Sequence, residues 1–125
     1  MKKLDFWFDL GSPYSYLSAM RIDGLAELHG VKVIWHPFLL GPIFKQFGKG
    51  STFNECPQKT DYLWKDVARQ ALKHNIPFSR PTVFPRLALF ATRVAVYGGD
   101  ADWVPEFCRR IMTRSFTQNL EVESE

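Results

Sequence analysis

The sequence predicts an α/β fold: one parallel strand–helix–strand unit at the N-terminus, followed by an all-helical region. Three observations predict it. Leu4–Leu10 alternates and is rich in aromatics, Val31–His36 is short and β-branched, and after Pro37 helical periodicity recurs with no further strand pattern. A chain of 125 residues that is 46% hydrophobic and 15% aromatic can pack a core, which excludes disorder as the class.

Taken in order, Leu4–Leu10 reads as a strand ending at Gly11. Ser12-Pro13 then opens a helix, because a serine hydroxyl accepts from a free backbone N–H and proline is tolerated at the first helical position. That helix is expected to run to about His29, with Leu17, Met20, Leu25 and Leu28 on one face and Gly30 as its left-handed stop. Val31–His36 supplies the second strand, and a unit of this size implies parallel pairing through a right-handed crossover over residues 4–38. Gly41–Phe53 reads as a loop. Pro57 opens a helix to about His74, with Leu63, Val67 and Ala71 inward and an Asp61–Lys65 ion pair. Asn75–Pro85 breaks it. Leu87–Tyr97 is apolar nearly all round, which predicts a helix buried on several sides, in the core or at an interface, and closed by Gly98-Gly99. Trp103, Phe107, Ile111 and Met112 mark a last amphipathic helix, and Gln118–Glu125 is expected to fray. The expected division is residues 1–40 and 41–125, with the helical domain as the second part.

Charge argues against nucleic acid as a partner. The formal net charge of +3 is dispersed, and the basic pairs Lys2-Lys3 and Arg109-Arg110 lack interleaved aromatics. Asp5 and Asp9 interrupt the apolar stretch a signal peptide needs, so a cytoplasmic protein is expected. No apolar run is long enough for a membrane span. Cys56 and Cys108 stand far apart and read as buried reduced thiols. His29, His36 and His74 lack ligand spacing, so no metal is expected, and His36 at its strand end reads as structural. Trp64 and Trp103 read as core, while Tyr14 and Tyr16 fit either a pocket wall or the core.

Chemistry points to Ser12. A helix start exposes unsatisfied N–H groups and carries the equivalent of about half a positive charge, which favours an adjacent anion. Redox enzymes of the thioredoxin-like class place Cys-x-x-Cys there to ionise a thiol. Here the same context reads Ser12-Pro13-Tyr14-Ser15, which can neither form a disulfide nor pass two electrons.

The run Phe8-Asp9-Leu10-Gly11-Ser12-Pro13-Tyr14-Ser15-Tyr16-Leu17 resembles the opening of the 2-hydroxychromene-2-carboxylate isomerases and the kappa-class glutathione transferases. Leu39–Lys45, Phe53-Asn54, Tyr62–Asp66, Ile76-Pro77-Phe78 and Phe84-Pro85-Arg86 match in the same order, covering residues 4 to about 100. The resemblance implies a thioredoxin-like fold of the DsbA kind with an inserted helical domain. It also implies glutathione as cofactor, its thiolate stabilised by Ser12 and adding reversibly to a conjugated aromatic carboxylate, and a homodimer. Lys45 and Asn54 fall where such proteins hold the anionic or polar end of the substrate. Kappa-type conjugation is the near alternative, dithiol–disulfide exchange is disfavoured by the serines, and a non-catalytic binding protein stays open. The resemblance further implies a C-terminal half of the thioredoxin fold, with a cis-proline segment after a strand, that these residues lack. An N-terminal part of a longer fold, binding glutathione weakly or not at all when isolated, is therefore expected, with completion of the fold by a second chain as the alternative.

Overall fold

A computed structural model describes residues 1–48, 50 and 56–122. The elements run β1 (Lys2–Phe8), α1 (Pro13–Ala19), α2 (Ile22–Leu28), β2 (Val31–Pro37), α3 (Leu40–Gln46), α4 (Pro57–Lys73), α5 (Leu89–Gly98) and α6 (Val104–Phe116). β1 and β2 pair in parallel with Leu4 opposite Val33 and Phe8 opposite Pro37, as their spacing predicts. Among the described residues they form a two-stranded sheet.

One face of that sheet starts the core. Phe6, Phe8 and Trp35 meet with ring centroids 5.1 Å apart, Trp35 standing edge-on to both phenylalanines. Such edge contacts add about 0.5–1.5 kcal/mol each beyond the area they bury. Buried residues from α1, α4, α5 and α6 join the same cluster: Tyr16 and Leu17, Trp64 and Val67, Ala91 and Ala95, Cys108 and Met112. The N-terminal unit and the helices after it thus share one continuous core.

Several expectations are corrected. The helix from Pro13 to His29 is two helices, because Arg21 N–H bonds the Ser18 carbonyl in a tighter turn. That turn changes the phase of the helix, so Ala26 is buried while Leu25 and Leu28 face out. The expected loop from Gly41 contains α3. Its N-cap residue, Leu39, has no capping side chain, and the Leu40 N–H is satisfied by the distant Asp9 carboxylate at 2.7 Å. A cap borrowed from 31 positions away leaves no local sign.

α5 is not buried on several sides. Its small residues Ala91, Thr92 and Ala95 pack inward, while Phe90, Val96 and Tyr97 are exposed. Trp103 is 45% exposed, standing edge-on to Phe107 at the start of α6, whereas Trp64 is buried as expected. Cys108 is buried, but Cys56 is exposed at the N-cap of α4, where its sulfur accepts from the Lys59 N–H at 3.4 Å. Asp61 pairs with Arg80 at 3.0 Å, drawn across to the loop after α4. The segment expected to fray is held through Leu120, whose N–H donates to the Arg114 carbonyl at 2.8 Å. The Phe84–Pro85 bond is cis and lies in coil, with no strand before it.

Candidate functional site

Ser12 sits where β1 hands over to α1. Its backbone is extended (φ −92°, ψ 125°), and its Oγ accepts from the Ser15 N–H at 3.2 Å, which is the N-cap geometry the Ser-Pro pair predicts. Pro13, first in the helix, is fully buried. Ser12 is half-buried, and among the described residues its hydroxyl proton has no acceptor. One lone pair is thus committed to the helix, and among the described residues the O–H remains able to donate.

Two further residues hold Ser12 in place, a role sequence reasoning gave to neither. Asp9 Oδ1 accepts from the Gly11 N–H at 2.7 Å, and the Ser12 N–H closes the turn on the Asp9 carbonyl at 3.0 Å. An aspartate accepting from the residue two positions on is a turn signal that Asp9-Leu10-Gly11 displays and that could have been read. The second is Ser15, whose Oγ accepts from the Asp9 N–H at 3.1 Å. Its oxygen therefore belongs to the strand–helix junction.

Tyr14, partly exposed on α1, donates from its hydroxyl to Asp66 Oδ2 on α4 at 2.6 Å. Burial, then the hydrogen bond and negative charge of Asp66, push the phenol far above its usual range, so it stays protonated at any physiological pH. Tyr16 is core: it is fully buried, and its hydroxyl donates to the Pro77 carbonyl and sits 3.2 Å from Thr117 Oγ1. His36 lies on the open face of the sheet, bonded to Asp5 at 2.7 Å and stacked on Trp7 at 4.5 Å between centroids.

Lys45 lies in the last turn of α3 with an exposed side chain. The helix that carries it begins at Leu40, tied to Asp9 three residues before Ser12, and among the described residues no hydrogen bond joins Lys45 to Ser12. Asn54 lies outside the described residues.

A parallel β–α–β unit fused to packed helices, with a hydroxyl instead of a thiol at the first helix start, defines a thioredoxin-like domain without its redox pair. The chain belongs to the DSBA-like thioredoxin domain family, whose profile matches residues 3–125. It is 34% identical over 83 residues to a 2-hydroxychromene-2-carboxylate isomerase of Pseudomonas putida, covering 66% of this chain and 39% of that protein. It is 31% identical over 85 residues to glutathione S-transferase kappa 1 of Caenorhabditis elegans, covering 67% of this chain and 37% of that protein. A solved selenomethionine 2-hydroxychromene-2-carboxylate isomerase superposes with a TM-score of 0.83 at 23% identity, over 98% of this chain and 60% of the other. The chain thus spans less than half the length of the curated relatives it matches. No helix among the described residues is long and apolar enough to cross a membrane.

Proposed function

We propose that this chain carries the sulfur-handling end of a glutathione-dependent isomerase of the 2-hydroxychromene-2-carboxylate type, acting on an aromatic carboxylate with a conjugated double bond. The observation that carries the reading is the state of the two serines. Ser15 Oγ is engaged by the Asp9 N–H, and Ser12 Oγ caps the helix with its proton left to donate. Neither position supplies sulfur, so a thiol at this site comes with the ligand.

The residues present fit a thiolate. A hydroxyl donor at a helix start lowers the proton affinity of a sulfur beside it by hydrogen bonding and by the local positive end of the backbone dipoles. Gly11, next to Ser12, packs closely, since a Cβ there would sit 3.3 Å from Asp9 Oδ1 and 3.5 Å from the Arg86 carbonyl oxygen. When bound, glutathione supplies a thiol that adds reversibly to a conjugated carbon and leaves again. The work of the chain is to hold that sulfur ionised through Ser12, to fix Ser12 through Asp9, and to meet the anionic or polar end of the substrate with Lys45 and Asn54. On this reading residues 1–40 carry the sulfur site, residues 41–125 supply its helical surroundings, and the working form is a cytoplasmic homodimer.

The similarity to a kappa-class transferase favours a second reading, net conjugation at the same serine. Incubation with labelled glutathione separates the two. Label returned as free glutathione with a rearranged substrate is the isomerase result, and label retained in a conjugate is the transferase result. Insulin reduction above background would overturn both in favour of dithiol exchange.

A further inference from the structure

Residues 75–88, between α4 and α5, form no regular element, yet their far end is gripped by side chains. Asn119, just past α6, is left-handed (φ 53°), a conformation asparagine tolerates. Its Oδ1 accepts from the Thr82 N–H at 3.1 Å, the Thr82 hydroxyl at 3.2 Å and the Arg86 guanidinium at 2.6 Å. Its Nδ2 lies 2.9 Å from Thr82 Oγ1. Arg86 also donates to the Leu120 carbonyl at 2.9 Å and the Asn119 carbonyl at 3.3 Å. The segment it grips is itself fixed, with Arg114 donating to the Glu121 carbonyl at 3.1 Å.

The backbone of Arg86 faces the other way. Its carbonyl oxygen lies against Gly11, 3.5 Å from where a Cβ would stand, and Gly11 immediately precedes Ser12. One residue therefore joins the exit of α6 to the start of α1. We infer that Arg86 and Asn119 are positioning residues that lock the Phe84–Arg86 turn against Gly11 and so set the wall a ligand at Ser12 meets. The identity of that ligand rests on the glutathione reading, whereas the mechanical coupling does not.

Hydrogen exchange read by mass spectrometry tests the coupling in the full chain. Asn119→Gly keeps the left-handed backbone and deletes every side-chain bond, while Arg86→Lys keeps the charge and loses the fork. Both variants are expected to speed exchange about tenfold in residues 82–88 and also at Gly11 and Ser12, as loss of a hydrogen bond to a charged group does. Asn119→Asp retains acceptors for Arg86 and is expected to restore protection at both places. Unchanged protection at Gly11 and Ser12 while 82–88 loosens overturns the inference. Should Asn119→Gly fail to fold, Arg86→Lys and Asn119→Asp decide the same question.

Glutathione titration of the same proteins adds the ligand. Affinity falling about tenfold to a hundredfold in Asn119→Gly and recovering in Asn119→Asp supports positioning, since displacement of a wall by about an ångström has effects of that size. Equal affinity in all variants overturns it. Where the wild-type protein binds no measurable glutathione, the exchange data alone decide the lock.

Discussion

Replacing Asp9 by alanine deprives two backbone donors of one acceptor at once. The Gly11 N–H, in the turn before Ser12, and the Leu40 N–H, which opens α3, each bond the Asp9 carboxylate at 2.7 Å in part-buried surroundings. A hydrogen bond to a charged group contributes about 1.5–3 kcal/mol. Half-burial puts each bond toward the lower end, so Asp9→Ala is expected to cost about 3–4 kcal/mol. Asp9→Asn keeps one oxygen and turns an NH2 toward the other donor, which halves the loss to about 1.5–2 kcal/mol. Urea unfolding measures both, with the slope unchanged and the midpoint lowered if the native fold persists. Hydrogen exchange adds the location, because α3 amides should lose protection together with Gly11. A loss below about 1 kcal/mol for Asp9→Ala, under what one such bond supplies, would refute the role given to this carboxylate.

Other expectations follow from packing and ionisation. Gly98→Ala puts a Cβ 2.5 Å from both Trp103 Cη2 and Val104 Cγ2; Trp103 can swing outward but Val104 is buried, so overpacking should cost about 1–3 kcal/mol in thermal or urea melts. A thiol reagent at pH 8 should label Cys56 and spare Cys108 until the protein unfolds, since one is exposed and the other buried. Burial pushes the Cys108 thiol up from 9.0 to about 12. The unfolded chain therefore releases this proton first, and stability should hold below pH 9 and decline as pH rises toward 12, most visibly as a flatter alkaline profile in Cys108→Ala. Tyr14→Phe removes the bond to Asp66 and should cost about 1 kcal/mol in urea unfolding, with a loss above 3 kcal/mol contradicting the partly exposed geometry.

What the sequence made legible was local. The alternation in β1, the β-branched run of β2, the Ser12 cap and the stops at Gly30 and Gly99, both at positive φ, all act through residues near in the chain. What it hid depends on distant partners. α3 begins on a carboxylate from β1, the α1–α2 break has no proline or glycine at its turn, and the exit of α6 is ordered by Arg86. The apolar run around α5 was ambiguous because small and large residues share one helix; packing chose alanines for the inside and left Phe90 and Tyr97 out. In the site, Ser12 could be placed from sequence, but the bond from the Asp9 N–H to the Ser15 oxygen depends on how the strand meets the helix and leaves no sign in the Ser-x-x-Ser spacing.

The claim that Ser12 serves a ligand's sulfur beyond capping its helix is tested most directly by turnover in Ser12→Ala and Ser12→Asn, with glutathione and an aromatic carboxylate substrate. Alanine loses about 1 kcal/mol of cap, whereas asparagine caps as well as serine. Both lose the hydroxyl. Turnover is expected to fall roughly tenfold to a thousandfold in both variants, as removal of an anion-stabilising donor does, even though Ser12→Asn keeps wild-type stability. Wild-type turnover in Ser12→Ala, which keeps no side-chain donor, would contradict the claim and leave Ser12 as a cap alone.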